Sequence, residues 1–165
     1  MLAGSFASSY HGVTRTTADI DFVIDPGAGQ IDCVVDALQS PDVYVDRTAA
    51  RRAMAARDQF NVIDIRSGWK VDLVIRKDRA FSVSELARRE SAEIMGIRVA
   101  VATAEDTILA KLEWAALGGS ERQVTDVVDV LRTRDDLDDE YLDQWADELR
   151  VAEALAAARA RARRG

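Results

Sequence analysis

The first half of the chain carries two kinds of hydrophobic pattern. Between Asp19 and Asp25, large apolar residues fall at every second position, which is typical of a strand with one buried face. From Gln30 to Leu38 they fall at helical spacing instead, after a turn rich in Pro and Gly. Strands are also predicted at 60–65 and 70–75, and the short Ser-Gly connection between them favours an antiparallel hairpin.

The second half of the chain is mostly helical in pattern. A weaker strand at 94–101 leads to Thr103, which can cap a helix that ends at a Gly-Gly pair. Ser120 is placed to cap the next helix, and one or two Ala- and Arg-rich helices follow an acidic link. We therefore predict an α/β core in residues 1–102 with a helical subdomain, residues 103–165, packed on it.

Length and composition indicate one globular domain with at most a helical appendage. The chain has 165 residues, of which 48% are hydrophobic and 31% charged. It has no run of ~18 apolar residues that could cross a membrane and no secretory signal pattern at its start. Cys33 is the single cysteine, so we expect a cytoplasmic protein without disulfides, and we expect this thiol in the core.

The charge distribution leaves a nucleic-acid partner open. The net charge of −7 argues against a protein that coats nucleic acid by electrostatics alone. Residues 150–165, however, carry five arginines against the single acid Glu153. This basic end can contact an RNA phosphate backbone, or it can be a solvated helix end whose arginines complement the helix dipole.

Three aspartates are the candidate chemistry of the predicted core. Asp19 and Asp21 lie two positions apart on a strand, so they share a face at about 6–7 Å from each other. Asp72 lies among apolar residues on another predicted strand, and if the two strands are neighbours, three carboxylates converge. Such a group can hold hard cations that lie about 3.5–4 Å apart. Ligands that are all oxygen favour Mg²⁺ or Mn²⁺ over zinc.

A possible phosphate cradle precedes the paired acids. Gly4 and Ser5 open a predicted helix at 6–10, whose free N–H groups and dipole suit an anion, and glycine lets a triphosphate approach the backbone. Arg15 can add a phosphate contact or can be an ordinary surface residue.

Chance is the competing explanation for the paired acids. The chain has 20 aspartates, so about one or two Asp-x-Asp pairs are expected at random, and Asp136 with Asp138 forms a second pair in a charged link. The apolar strand context, the upstream Gly-Ser pair and the downstream Asp72 favour a catalytic role for Asp19 and Asp21.

Together these residues resemble the motif of the DNA-polymerase-β-like nucleotidyltransferase superfamily, in particular small bacterial enzymes of the minimal and AbiEii-toxin-like kind. Ala3-Gly4-Ser5 and Asp19-Ile20-Asp21-Phe22 match that motif, with a gap of the usual size. The resemblance implies a mixed sheet flanked by helices, NTP as the donor of a nucleoside monophosphate, and Mg²⁺ or Mn²⁺ bound by Asp19, Asp21 and Asp72. It also implies that Asp72 orients or deprotonates the acceptor hydroxyl.

The helical half resembles the toxin-like branch at two less specific motifs. The segment 105–111 is similar to its lysine motif, and Arg122 with Asp126 and Asp129 is similar to its Arg/Asp motif. Lys111 lies seven residues before the Gly-Gly pair and Asp126 seven residues after it, so the two face each other in an antiparallel helix hairpin. Lys111 can then bind the triphosphate with Asp126 in the catalytic set, or the two can form a structural salt bridge.

Two hypotheses for function follow. The first is metal-dependent transfer of NMP from NTP to an acceptor hydroxyl, with RNA favoured over a small molecule or protein and a cognate antitoxin as partner. The second is a non-catalytic nucleotide- or protein-binding partner, similar to an antitoxin. The resemblance also implies a helix and most of a strand before Gly4, where this sequence has three residues, so we expect a weak first strand. His11, the single histidine, is expected to be a helix cap or surface residue rather than a catalyst.

Overall fold

The structure, a computed structural model, describes residues 1–14, 16–27 and 29–164. These residues divide into two compact units. The sheet unit comprises Met1–Ser5 and the described part of Thr16–Val101, and the helical unit comprises residues 6–14 and 102–164. No helix in these ranges is long and apolar enough to cross a membrane.

The described part of the chain contains seven strands and eight helices. The strands are β1 (Leu2–Ala3), β2 (Asp19–Ile24), β3 (Val43–Val45), β4 (Gln59–Asp64), β5 (Lys70–Ile75), β6 (Glu90–Ile94) and β7 (Ile97–Val101). The helices are α1 (Gly4–Tyr10), α2 (Gln30–Leu38), α3 (Arg47–Ala56), α4 (Ala80–Arg88), α5 (Ala104–Gly118), α6 (Glu121–Thr133), α7 (Asp139–Glu148) and α8 (Ala152–Ala162).

The seven strands form one mixed sheet in the order β3-β4-β5-β2-β1-β7-β6. Strand β2 pairs with β5 in parallel, whereas β4 and β5 form the antiparallel hairpin predicted from their short connection. The two-residue β1 pairs with β2 on one side and with β7 on the other. The predicted α/β class with a mixed sheet and helices is therefore confirmed.

A hydrophobic core lies between one face of the sheet and helices α2 and α3. Strands β4 and β5 contribute Phe60 and Ile75, and α2 contributes Val35, all of them almost completely buried. Helix α3 contributes the small side chains Ala50 and Ala53, which let it lie close to its neighbours. Each large apolar side chain buried in this way stabilises the fold by about 1.5–3 kcal/mol.

The helical unit contains the predicted antiparallel helix hairpin, formed by α5 and α6. Thr103 caps α5 by accepting a hydrogen bond from the amide of Asp106, as predicted. The helix ends at Gly119, whose φ of 64° is the left-handed conformation that favours glycine at a helix end. Ser120 lies at the N-cap position of α6, as predicted, but its side chain makes no capping hydrogen bond.

Two sequence predictions are wrong. The single strand predicted at 94–101 is the hairpin of β6 and β7, which turns at Met95 and Gly96. Both residues have positive φ, as a two-residue hairpin turn requires. Cys33 is exposed rather than in the core, because Ile31 and Val35 provide the buried side of α2.

Candidate active site

The structure brings the three predicted acids together on one face of the sheet. The parallel register of β2 and β5 places Asp21 beside Asp72 and Asp19 beside Lys70. Side chains alternate along a strand, and register partners on adjacent strands project to the same side. Asp19, Asp21 and Asp72, the acid cluster from here on, therefore lie on the face opposite the hydrophobic core.

The members of the acid cluster differ in their exposure to solvent. The side chain of Asp72 is only 8% exposed, whereas that of Asp19 is 55% exposed. Within the described part of the chain, Oδ1 of Asp72 is buried and has no hydrogen-bond partner. A buried carboxylate oxygen without a partner is costly, so this atom is suited to accept a hydrogen bond or to bind a cation.

Lys70 provides positive charge to this cluster. Its Nζ lies 3.0 Å from Oδ2 of Asp72 and 3.5 Å from Oδ1 of Asp19. The hydrogen bond to Asp72 is the main reason why the pKa of Lys70 lies above its usual range. Lys70 is not among the site residues predicted from the sequence, although its place two positions before Asp72 on a predicted strand indicates that it shares a face with that acid.

Gly4 is required by its contact with the acid cluster. Ala3 is the register partner of Asp21, and Gly4 follows it at the start of α1 with a φ of +58°. A Cβ atom at Gly4 would lie 2.6 Å from Cγ of Asp21 and nearer still to its Oδ2. Glycine at this position therefore makes room for the Asp21 carboxylate. This is a second reason for a glycine here, in addition to the predicted close approach of a triphosphate.

The other two residues predicted to bind phosphate are less informative. Ser5 is half-buried in the first turn of α1, next to Gly4. Arg15 lies outside the described residues, so its predicted role stays a prediction.

The acid cluster has the donor chemistry of a site for a hard cation. Its ligands are all carboxylate oxygens, which suit Mg²⁺ or Mn²⁺, and one of them is the buried Oδ1 of Asp72 that has no partner. Within residues 1–14, 16–27 and 29–164, however, no three His, Cys, Asp or Glu side chains are already arranged to hold a metal together. By their chemistry, the residues of the acid cluster are nevertheless ligands suited to Mg²⁺ or Mn²⁺.

A cavity of about 890 Å³ in the sheet unit is separate from these acids. Its walls include Phe22, Leu73 and Val34 of α2. Phe22 and Leu73 directly follow Asp21 and Asp72 along their strands, so they project to the opposite face of the sheet. The cavity is mainly apolar, and the acid cluster does not contribute to its walls.

In the helical unit, Lys111 and Asp126 face each other as predicted. Nζ of Lys111 lies 2.8 Å from Oδ2 of Asp126, and the two side chains are only 5% and 2% exposed. The same ammonium donates to Oε1 of Gln123 at 2.8 Å. The pair therefore connects α5 to α6 in a buried environment, where each charge depends on the other.

Two acids at the start of α5 belong to a network that the sequence analysis missed. The carboxylate of Asp106 is fully buried and accepts hydrogen bonds from the hydroxyls of Thr103 and Tyr141, at 2.9 and 2.7 Å. Glu105 accepts from the amide of Asp138 at 3.0 Å. These contacts connect α5 to the start of α7, and the motif-like segment 105–111 therefore includes acids with a structural role.

His11 is also placed differently from the prediction. It is 1% exposed rather than a surface residue, and its Nε2 lies 2.8 Å from the carbonyl oxygen of Ala102. Nδ1 faces the guanidinium of Arg134 at 3.4 Å. The ring therefore connects the segment after α1 to the rest of the helical unit.

No protein-family model matches the chain. A search of curated proteins also finds no match.

Proposed function

We propose that this protein is a metal-dependent nucleotidyltransferase, which moves a nucleoside monophosphate from an NTP to an acceptor hydroxyl. One observation carries the proposal: Asp19, Asp21 and Asp72 share one face of adjacent parallel strands. The close approach of Gly4 to Asp21 adds to it, because it places the start of α1 beside the same carboxylates. The resemblance of these segments to the DNA-polymerase-β-like nucleotidyltransferases supports the same chemistry.

Each member of the acid cluster has a proposed part in the reaction. All three carboxylates would hold Mg²⁺ or Mn²⁺, which when bound neutralises triphosphate charge and stabilises the pyrophosphate leaving group. Asp72 is also the proposed base, since a carboxylate beside the metal can accept the proton of the acceptor hydroxyl. The hydroxyl oxygen then forms a bond to the α-phosphorus as the bond from that phosphorus to pyrophosphate breaks. Gly4 and Ser5 would contact the phosphates.

We propose RNA as the acceptor, and we propose that arginines at the basic end of α8 contact its phosphates. Arg163 and Arg164 are exposed there. Arg159 and Arg161 already form ion pairs, the first with Asp139 and Asp143 and the second with Glu121. Exposed pairs of this kind are worth about 0–1 kcal/mol, so a phosphate can replace the carboxylates at little cost.

A non-catalytic partner, similar to an antitoxin, is the second candidate. It is favoured by the ammonium of Lys70, which contacts two of the acids. A protein that has ceased to bind metal can retain such a pair as an ordinary salt bridge.

Labelled nucleotide distinguishes the two candidates. The protein would be incubated with each α-³²P-labelled NTP, magnesium and cell lysate, and the products separated into RNA, protein and small molecules. We expect label in the RNA fraction, and none with Asp21→Asn in place of the wild type. Label in the protein or small-molecule fraction would show that the acceptor is a protein or a small molecule rather than RNA. Absence of label in all fractions and with all four nucleotides would favour the non-catalytic partner.

A further inference from the structure

We propose that Lys70 is an internal counter-cation of the acid cluster, and that a divalent metal must displace its ammonium to bind. This inference rests on the proposed function only in assuming that the acids bind metal. It follows from the two contacts of Nζ, at 3.0 Å to Asp72 and 3.5 Å to Asp19, on the face where Asp21 also lies. The ammonium of Lys70 therefore competes with a divalent metal ion for the carboxylate oxygens.

Repulsion among the acids explains why a cation is needed there. Asp19 and Asp21 are two residues apart on β2, and the register places Asp72 beside Asp21 on β5. Three carboxylates on one small surface repel each other, and the low exposure of Asp72 reduces the screening that water provides. The ammonium of Lys70 therefore stabilises the protein before metal binds.

Competition follows because the ammonium and a metal need the same oxygen atoms. A divalent ion that is bound by Asp72 and Asp19 would lie a few ångströms from Nζ if Lys70 stayed in place, and the two like charges would repel. The Lys70 side chain is 34% exposed and flexible, so it can move toward solvent. Its departure also frees Oδ2 of Asp72, which then joins Oδ1 as a possible ligand.

The test is metal binding without nucleotide. Lys70→Met keeps the aliphatic stem and removes the charge, and Lys70→Arg keeps the charge. The free Mn²⁺ concentration, followed by electron paramagnetic resonance during a titration, gives the affinity. Without the ammonium, a metal ion no longer has to break the contacts of Lys70 with Asp72 and Asp19 before it binds, so binding should tighten roughly tenfold. Lys70→Arg should bind as the wild type does, and Lys77→Met, an exposed lysine beyond β5, controls for the change in net charge.

Thermal unfolding without metal provides the second readout. Lys70→Met should melt below the wild type in EDTA and gain more stability from added Mn²⁺ than the wild type does. Should Lys70→Met fold poorly, Lys70→Gln serves in its place. Unchanged or weaker Mn²⁺ binding in the charge-removal variant would overturn the inference, and so would Mn²⁺ binding that Asp21→Asn leaves intact. If Mn²⁺ binding tightens as expected but no nucleotide is transferred, the inference stands and the proposed function fails.

Discussion

The backbone of Gly4 and the carboxylate of Asp21 occupy adjoining space, so that no side chain fits at Gly4 while Asp21 keeps its position. A Cβ atom there would overlap the carboxylate, and the φ of +58° is one that only glycine adopts without strain. The start of α1 and the middle of β2 are therefore positioned by the same contact. Substitution at Gly4 tests whether this contact organises the acid cluster.

We expect Gly4→Ala to destabilise the protein more than a glycine substitution in open space does. Gly68→Ala is the matched control, because Gly68 has a φ of +75° but no atom within 4 Å of its Cβ position. The control should cost about 1–2 kcal/mol from backbone strain alone. Gly4→Ala should cost at least about 1 kcal/mol more, since the overlap adds to that strain. Urea unfolding measures both, and equal costs would show that Asp21 moves aside easily.

Asp21→Asn should leave the fold intact and abolish nucleotide transfer. The amide keeps the shape of the side chain and removes a charge from beside Asp72, its register partner. Relief of like-charge repulsion should hold the metal-free melting temperature level or raise it. Thermal unfolding in EDTA checks this, and a clear fall would instead indicate a structural role for the Asp21 carboxylate.

Helices and strands were predicted correctly where large apolar residues recur with a clear period along the sequence. Strand β2 was recognised from its period of two, and α2 from large apolar residues at helical spacing, and both are present. Helix α3 was missed because its buried face consists of Ala50 and Ala53, which a search for large apolar residues does not detect. Strand β3 has three residues, too few to show a period.

The three acids of the candidate site were predicted, with Asp72 joining Asp19 and Asp21 on the condition that their strands are neighbours, whereas two contacts that depend on strand pairing were missed. Asp19 and Asp21 share a face by spacing alone. The contact of Lys70 with Asp19 requires the parallel register of β2 and β5, and no local pattern specifies which strands pair. The contact between Gly4 and Asp21 likewise arises from the pairing of β1 with β2.

Lys111→Met should cost about 3–5 kcal/mol of stability, because the buried carboxylate of Asp126 would lose the ammonium that lies 2.8 Å from it. The double variant Lys111→Met/Asp126→Leu should recover most of that loss, since both charges of the pair are then removed. Asp129→Ala removes an exposed pair with Arg132 and should cost no more than about 1 kcal/mol. Urea unfolding of the three variants measures these differences.

The double variant also tests the other interpretation of Lys111. If Lys111 binds the triphosphate, the folded double variant should bind NTP more weakly than the wild type does. Normal NTP affinity in that protein would leave Lys111 and Asp126 with a structural role only.

NTP binding should require a divalent ion. The acid cluster repels a tetra-anionic ligand unless a cation lies between them, and Lys70 supplies only one positive charge. Calorimetric titration with a non-hydrolysable NTP analogue should show binding in magnesium and none in EDTA. Equal affinity under both conditions would mean that the nucleotide binds away from the acid cluster or that NTP is not a substrate.

The last prediction concerns the basic end of α8. Arg159 and Arg161 form ion pairs there, and Arg163 and Arg164 are exposed beyond them. Removing the end of the chain from residue 158 would also remove Ala158, which is fully buried, so point substitutions are the cleaner test. Arg163→Gln/Arg164→Gln should reduce labelling of RNA and flatten its dependence on salt, because each lost phosphate contact lowers the salt slope by roughly one. Arg52→Gln/Arg66→Gln, exposed arginines of the sheet unit, is the matched control for net charge. If both double variants lower RNA labelling equally, the effect belongs to net charge, and α8 is not the contact for RNA.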